Sequence, residues 1–295
     1  MLPPTQHETT ATAAPRLPST LRLGAVHLAV SDLDRAVAWY QDAIGLRVHD
    51  RSAAGAALGA GAEDLVVLDE QPAARPAGRH AGLFHLALLH DSRAELAHAA
   101  LRLRATRTPI EGASDHGVSE ALYLRDPDGN GVELYVDRPR GEWPPATGGE
   151  RVAMFTAPLD IDDLLDAAAG EEARRHAGAA LTAGHVHLHV GDIAAGLRFY
   201  RDVLGLELMA SWPTAAFVAA GGYHHHLAFN VWQGQGVGPA PPDAVGLRRW
   251  TIVLDDAAQV EAVGARMRAA GLAGDRVNGG LRVRDPWGIE LLIQG

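Results

Sequence analysis

The chain has 295 residues, 47% of them apolar and 21% charged, with a formal net charge of -10. That balance excludes a nucleic-acid partner, which needs concentrated Lys and Arg, and no run approaches the roughly 18 consecutive apolar residues of a membrane span. With no cysteine there are no disulfides, thiolate metal sites or Cys nucleophiles, so a metal would have to be held by carboxylates, water or the 15 histidines.

Residues 1–20, "MLPPTQHETTATAAPRLPST", are rich in Pro, Thr and Ala without apolar periodicity and read as a disordered tail. They lack a basic-then-apolar leader, which leads to the expectation of a cytoplasmic protein. Next comes "VHLAVSDLDRAVAWYQDAIGLRV" at 26–48, which matches "VHLHVGDIAAGLRFYRDVLGLEL" at 186–208 without a gap, at an offset of 160. Each copy opens with strand-like alternation, Val26, Leu28 and Val30 against His27 and Ala29 in the first. Asp32 or Asp192 then stands at an N-cap, and Gly45 or Gly205 closes the helix that follows.

Two fainter copies fill the remainder. "GLFHLALLHDSRAELAHAALRLRA" at 82–105 is again strand then helix, and closes with the hairpin "ALYLRDPDGNGVELYVDRP" at 121–139, turned by Pro127, Gly129 and Asn130. "GLRRWTIVLDDAAQVEAVGARMRAAG" at 246–271 closes with "LRVRDPWGIELLIQG" at 281–295. Arg102, Arg104 and Arg107 read as a solvated helix end. The chain is therefore four strand–helix–strands modules, expected as domains at 21–139 and 184–295. A linker at 140–183 carries a short helix near 160–169. "HHHLAFNVW" at 224–232 reads as one strand of the third module.

The repeated "VHL.V.D" openings and the "DPDGNGVEL" closure resemble the vicinal oxygen chelate superfamily, which includes glyoxalase I, bleomycin resistance proteins and extradiol dioxygenases. The resemblance covers about residues 21–295. It implies an α+β fold in which four βαβββ modules form two cupped mixed sheets, each built around a divalent metal. Four modules in one chain look like the two-domain extradiol dioxygenases. Among those, "SEALYLRDPDGNGVELYVDRPR" and "GGYHHHLAFNVW" are similar to the catechol-2,3-dioxygenase-like proteins of bacilli.

The superfamily draws its ligands from the first and last strand of each module. The first-strand positions here are His27, His85, His187 and Arg249; the last-strand positions include Glu133 and Glu290, with His226 in the third module. The first module offers only apolar residues near Leu65 to Leu68. Three sets follow. Modules one and two would supply His27, His85 and Glu133. Modules three and four would supply His187, His226 and Glu290, with Arg249 where a His is expected. Modules two and three would supply His85, Glu133, His187 and His226, and this densest set is favoured over the alternates His27 and Glu290. Neutral imidazoles with one carboxylate suit Fe(II), with Mn(II), Zn or Ni as other candidates. Arg249 stays protonated, so it cannot ligate and repels a cation.

The resemblance assigns the acid–base role to His225, the second histidine of a His-His pair before "LAF". By strand alternation His224 and His226 share one face and His225 takes the other. His185 and His189 share the face of His187, one of them as a partner to a ligand, but both are expected in solvent. Tyr123, Tyr223, Phe229 and Trp232 are candidates for an aromatic pocket. The implied activity is extradiol ring cleavage of a catechol-like aromatic with O₂. A glyoxalase-type isomerase or lyase, and a non-enzymatic small-molecule binding protein, are the alternatives on the same fold. Exposed module edges would allow a homo-oligomer.

Overall fold

A computed structural model describes residues 16–146 and 150–295. Two nine-stranded mixed sheets dominate it. In each module the first strand runs parallel to the last: Val26–Val30 beside Asp64–Glu70, Gly82–His90 beside Gly131–Asp137, Thr182–His189 beside Leu227–Asn230, and Gly246–Val253 beside Glu290–Gln294. The other edge of each first strand still needs a partner, because an open row of backbone groups invites foreign pairing. Gly82–His90 finds it in Thr182–His189, and Val26–Val30 in Gly246–Val253, both antiparallel. One sheet therefore joins modules two and three, and the other joins modules one and four. The sheets do not follow the halves 21–139 and 184–295: each cup is shared between them.

Alternation sets the two faces of these strands. Val26, Leu28, Val30, Leu86, Leu88, Val186, Leu188, Trp250 and Ile252 all enter one continuous apolar core. The intervening residues, among them His27, His85, His187 and Arg249, are left for the opposite face.

The caps form as the sequence predicts. Asp32 accepts from Arg35 N at 2.9 Å and Asp192 from Ala195 N at 2.6 Å. Gly45 (φ 84°) and Gly205 (φ 99°) take the left-handed conformation that spares a side chain. The helix expected at 160–169 is Ile161–Asp166. Of the tail 1–20, residues 1–15 lie outside the described residues. Leu17 is buried, and its N–H donates to Gly205 O at 2.9 Å, so the end of that stretch is packed down.

Two kinds of pin recur with the repeat. Arg102 is buried, contrary to its reading as part of a solvated helix end. It donates to Ala43 O and Ile44 O at 3.1 and 2.6 Å, and so caps the carbonyls at a neighbouring helix end. Arg266 does the same for Val203 O and Leu204 O. The second pin holds each Asp-Pro turn. Tyr40 donates to Asp126 and Tyr200 to Asp285, the latter at 2.7 Å, while Asp285 Oδ1 accepts from the Trp287 and Ile289 N–H groups.

Burial pushes the Asp285 carboxyl up to about 6, although the hydrogen bonds from Tyr200, Ile289 and Trp287 pull it down. Its folded pKa thus stands above the unfolded value of 3.8. The contribution of this group is fully present below the unfolded pKa and is lost as pH rises through the folded one. Relative to Asp285→Asn, the wild-type chain is expected to lose about 2 kcal/mol of unfolding free energy between about pH 4 and pH 7. Urea denaturation of both proteins at the two pH values measures this, and parallel pH responses would contradict it.

Candidate metal centre

The site grows from three adjacent strands, Gly131–Asp137, Gly82–His90 and Thr182–His189. Register places Glu133 level with Ala87, and Ala87 level with His185. Only the small Ala87 side chain stands between the carboxylate and the imidazole, so the two reach toward each other across it. One step along the strands, Gly131, His85 and His187 are level. A Cβ at Gly131 would stand 2.0 Å from Phe84 O and 3.0 Å from His85 Cβ, so this close approach needs glycine. Gly131→Ala is expected to cost about 1–3 kcal/mol by overpacking and to weaken metal binding by displacing the His85 strand. Thermal melts and metal titration check this, and a wild-type melt would contradict it.

His85 Nε2 lies 2.9 Å from Glu133 Oε2, His185 Nε2 lies 3.2 Å from the same oxygen, and the two Nε2 atoms are 3.3 Å apart. These three side chains form the one group of at least three ligand-type residues found among the described residues, and all are buried. Ligand atoms about 2.0–2.1 Å from a cation at right angles stand roughly 3 Å from one another. The donor set therefore fits a divalent metal in both spacing and chemistry.

Its electrostatics agree. Burial alone would raise the Glu133 carboxyl, but the charges and hydrogen bonds of His185 and His85 outweigh it and hold the group well below the usual carboxylate range. Burial pushes His185 down to about 4, against the pull of Glu133. An ionised carboxylate beside a neutral imidazole is the combination a cation needs.

The structure brings together His85 and Glu133 of the expected set but joins them to His185. His187 lines the same cavity, yet its Nε2 accepts from Asn230 Nδ2 at 2.8 Å. The amide is oriented, because Asn230 Oδ1 accepts from Trp232 N and His189 Nδ1. The lone pair that would ligate is therefore spent. Sequence reasoning passed over Asn230. His185 and His189, expected in solvent, are 2% and 9% exposed.

His226 does not reach the cluster. It borders a separate cavity with Tyr223 and Thr182, and its Nδ1 accepts from Ala220 N. The strand begins only at Leu227, so alternation does not govern the three histidines. The chain bends through them, and His225 enters the cavity beside the His85–Glu133–His185 cluster, its ring centroid 4.1 Å from that of His185. His224 donates through Nε2 to Asp137 at 2.8 Å, and its Nδ1 lies 2.7 Å from His225 Nδ1. His224 Nδ1 is then an acceptor, so His225 carries its proton on Nδ1 and keeps Nε2 basic. Burial, reinforced by His185 and His224, holds His225 well below its ordinary pKa, hence neutral.

The cavity beside the cluster measures about 260 Å³ and has aromatic walls that include Phe84, Tyr123, Phe217, Trp212 and Trp232. Tyr123 and Trp232 are thus among its walls, whereas Phe229 is in the core and Tyr223 borders the His226 cavity. His27 and Glu290 face one another in the other sheet, a combination absent from all three expected sets. Arg249 stands between them, with Nη2 2.9 Å from His27 Nε2 and Nη1 3.7 Å from Glu290 Oε1.

The Glyoxalase/Bleomycin resistance protein/Dioxygenase superfamily model matches residues 22–134 and 182–293. The chain belongs to this superfamily. It is 39% identical over 269 residues to a catechol-2,3-dioxygenase of Bacillus subtilis, covering 90% of this chain and 93% of that protein. Its fold is like that of glyoxalase I from Zea mays (TM-score 0.57, 20% identity, 93% and 92% of the two chains). It is also like that of the cppA protein from Streptococcus pneumoniae (TM-score 0.57, 11% identity, 93% and 99%). Among the described residues the one group of ligand-type side chains that could hold a metal lies in the sheet that joins modules two and three. Among the described residues no helix is long and apolar enough to cross a membrane.

Proposed function

We propose that the protein is an extradiol dioxygenase that opens the ring of a catechol-like aromatic with O₂, using Fe(II) held by His85, Glu133 and His185. The observation that carries this reading is the buried two-His-one-Glu cluster at the wall of an aromatic-lined cavity that also receives His225. The 39% identical relative named as a catechol-2,3-dioxygenase supports the substrate class. When bound, the metal would chelate two vicinal oxygens and leave a face open to O₂.

The chain's own side chains supply binding, orientation and proton transfer. Phe84, Phe217 and Trp232 enclose a planar ring and exclude water. His225 Nε2 takes the proton of a catechol hydroxyl and returns it later, a task for which a neutral imidazole is suited. Tyr123 donates to His116 Nε2 at 2.7 Å, and His116 Nδ1 in turn donates to Phe155 O. Burial, reinforced by the Glu133 charge, raises the Tyr123 hydroxyl above its usual range, so it stays protonated beside the carboxylate. Asn230 fixes His187 as part of the cavity wall.

Anaerobic reconstitution with Fe(II), followed by catechol and ¹⁸O₂, tests the reading. Oxygen uptake matched by a ring-opened product carrying both labelled atoms is expected. Metal binding without oxygen uptake would favour the glyoxalase-type isomerase, and a protein that takes up no metal would be left as a binding protein.

A further inference from the structure

In the sheet that joins modules one and four, the position that faces the cup carries a fixed cation of its own. We infer that this second cup is an anion site for a small carboxylate with an apolar body. The inference does not depend on the ring-cleavage reading.

The cup holds a cavity of about 590 Å³, within the usual size of a small-molecule site. Its charged lining comprises Arg248, Arg249 and Arg284 against Asp69 and Glu290. Glu290 is already offset by two arginines other than Arg249, with Arg284 Nη2 at 3.3 Å and Arg282 Nε at 4.0 Å. Asp69 is half exposed and screened by solvent. Arg248 is anchored through Nη2 alone, to Gln71 Oε1 and the carbonyls of Pro242 and Ala244, so it adds a second positive charge to the wall.

Arg249 has fewer acceptors of its own than Arg248. Among the described residues its one acceptor within hydrogen-bond distance is His27, an imidazole kept neutral by burial and by the guanidinium itself. Nη1 has Glu290 no nearer than 3.7 Å, so its N–H donors are open to the cavity. A partly buried guanidinium with most of its fork unused is costly unless an acceptor arrives, and the planar complement of that fork is a carboxylate. Leu247, Trp287, Ile289 and Pro241 supply an apolar wall for the rest of the molecule. A cation is repelled from the same place, so the duplicated cups have opposite preferences.

Isothermal titration of the intact protein with benzoate tests the site, with inorganic phosphate as a second probe. Benzoate is expected to bind wild type, to bind His185→Ala within about twofold of wild type, and to bind Arg249→Met at least tenfold more weakly. Arg249→Lys, which keeps the charge and loses the fork, is expected to bind severalfold more weakly, and it serves as the reading should the methionine variant fail to fold. Benzoate affinity unchanged by both Arg249 substitutions, or lost in His185→Ala, would overturn the proposal. So would a wild-type protein with no benzoate binding, or tighter binding of phosphate than of benzoate.

Discussion

His185→Ala is expected to abolish metal binding, with content after anaerobic Fe(II) loading falling from near one equivalent per chain to below a tenth. His187→Ala is expected to keep near-stoichiometric metal. The two histidines are two residues apart on one strand face, but their partners differ. His185 Nε2 converges with His85 and Glu133 within 3.3 Å, whereas His187 Nε2 accepts from Asn230. Removing one of three ligands costs more than loss of a residue that merely supports a ligand, which typically weakens binding 10–100-fold. The His187 variant is expected to change affinity by no more than about tenfold, the low end of that range, because its Nε2 is bonded to Asn230 and not to a ligand residue. Glu133→Gln should behave like His185→Ala, because a neutral amide cannot balance a dication in a buried site. Elemental analysis of the loaded proteins separates the cases. Metal lost in His187→Ala and kept in His185→Ala would reverse the assignment.

The second large effect is expected at His225. His225→Ala should lower kcat by about 10²–10⁴, the usual contribution of a positioned acid–base group, while metal content stays near one. The ring lies in the cavity but contributes no atom to the ligand cluster. Asp137 and His224 orient it, so His224→Ala is expected to give a smaller loss of the same kind. Steady-state kinetics beside metal analysis measure both. A His225 variant that loses its metal would make this residue a fourth ligand, and one that keeps full kcat would remove it from proton transfer.

Much of the fold is written in local patterns. The offset of 160, the Asp32 and Asp192 caps and the left-handed Gly45 and Gly205 each follow from a few neighbouring residues, and each forms in the structure. The pairing of modules is a long-range matter of which strand edges meet, yet the density of ligand-type residues in modules two and three points toward it. His85 and Glu133 are legible for that reason.

The choice between His185 and His187 is not legible, because alternation puts both on one face. What separates them is register against Gly82–His90, together with an irregularity between Ala183 and His185. The triple histidine misleads for a related reason: the strand starts after it, so a period of two does not apply to its side chains. Arg102 looks solvated because the carbonyls it caps, at Ala43 and Ile44, lie in another module. Arg249 is the reverse case. Its charge counts in the sequence against a metal beside it, and the structure places it between His27 and Glu290.

The most direct test of the central claim is anomalous diffraction at the iron edge from crystals of the Fe(II)-loaded protein. One strong peak per chain, within coordinating distance of His85, Glu133 and His185 and with none between His27 and Glu290, is the expected result. A peak held by His187 or His226, or one in the Arg249 cup, would contradict the account.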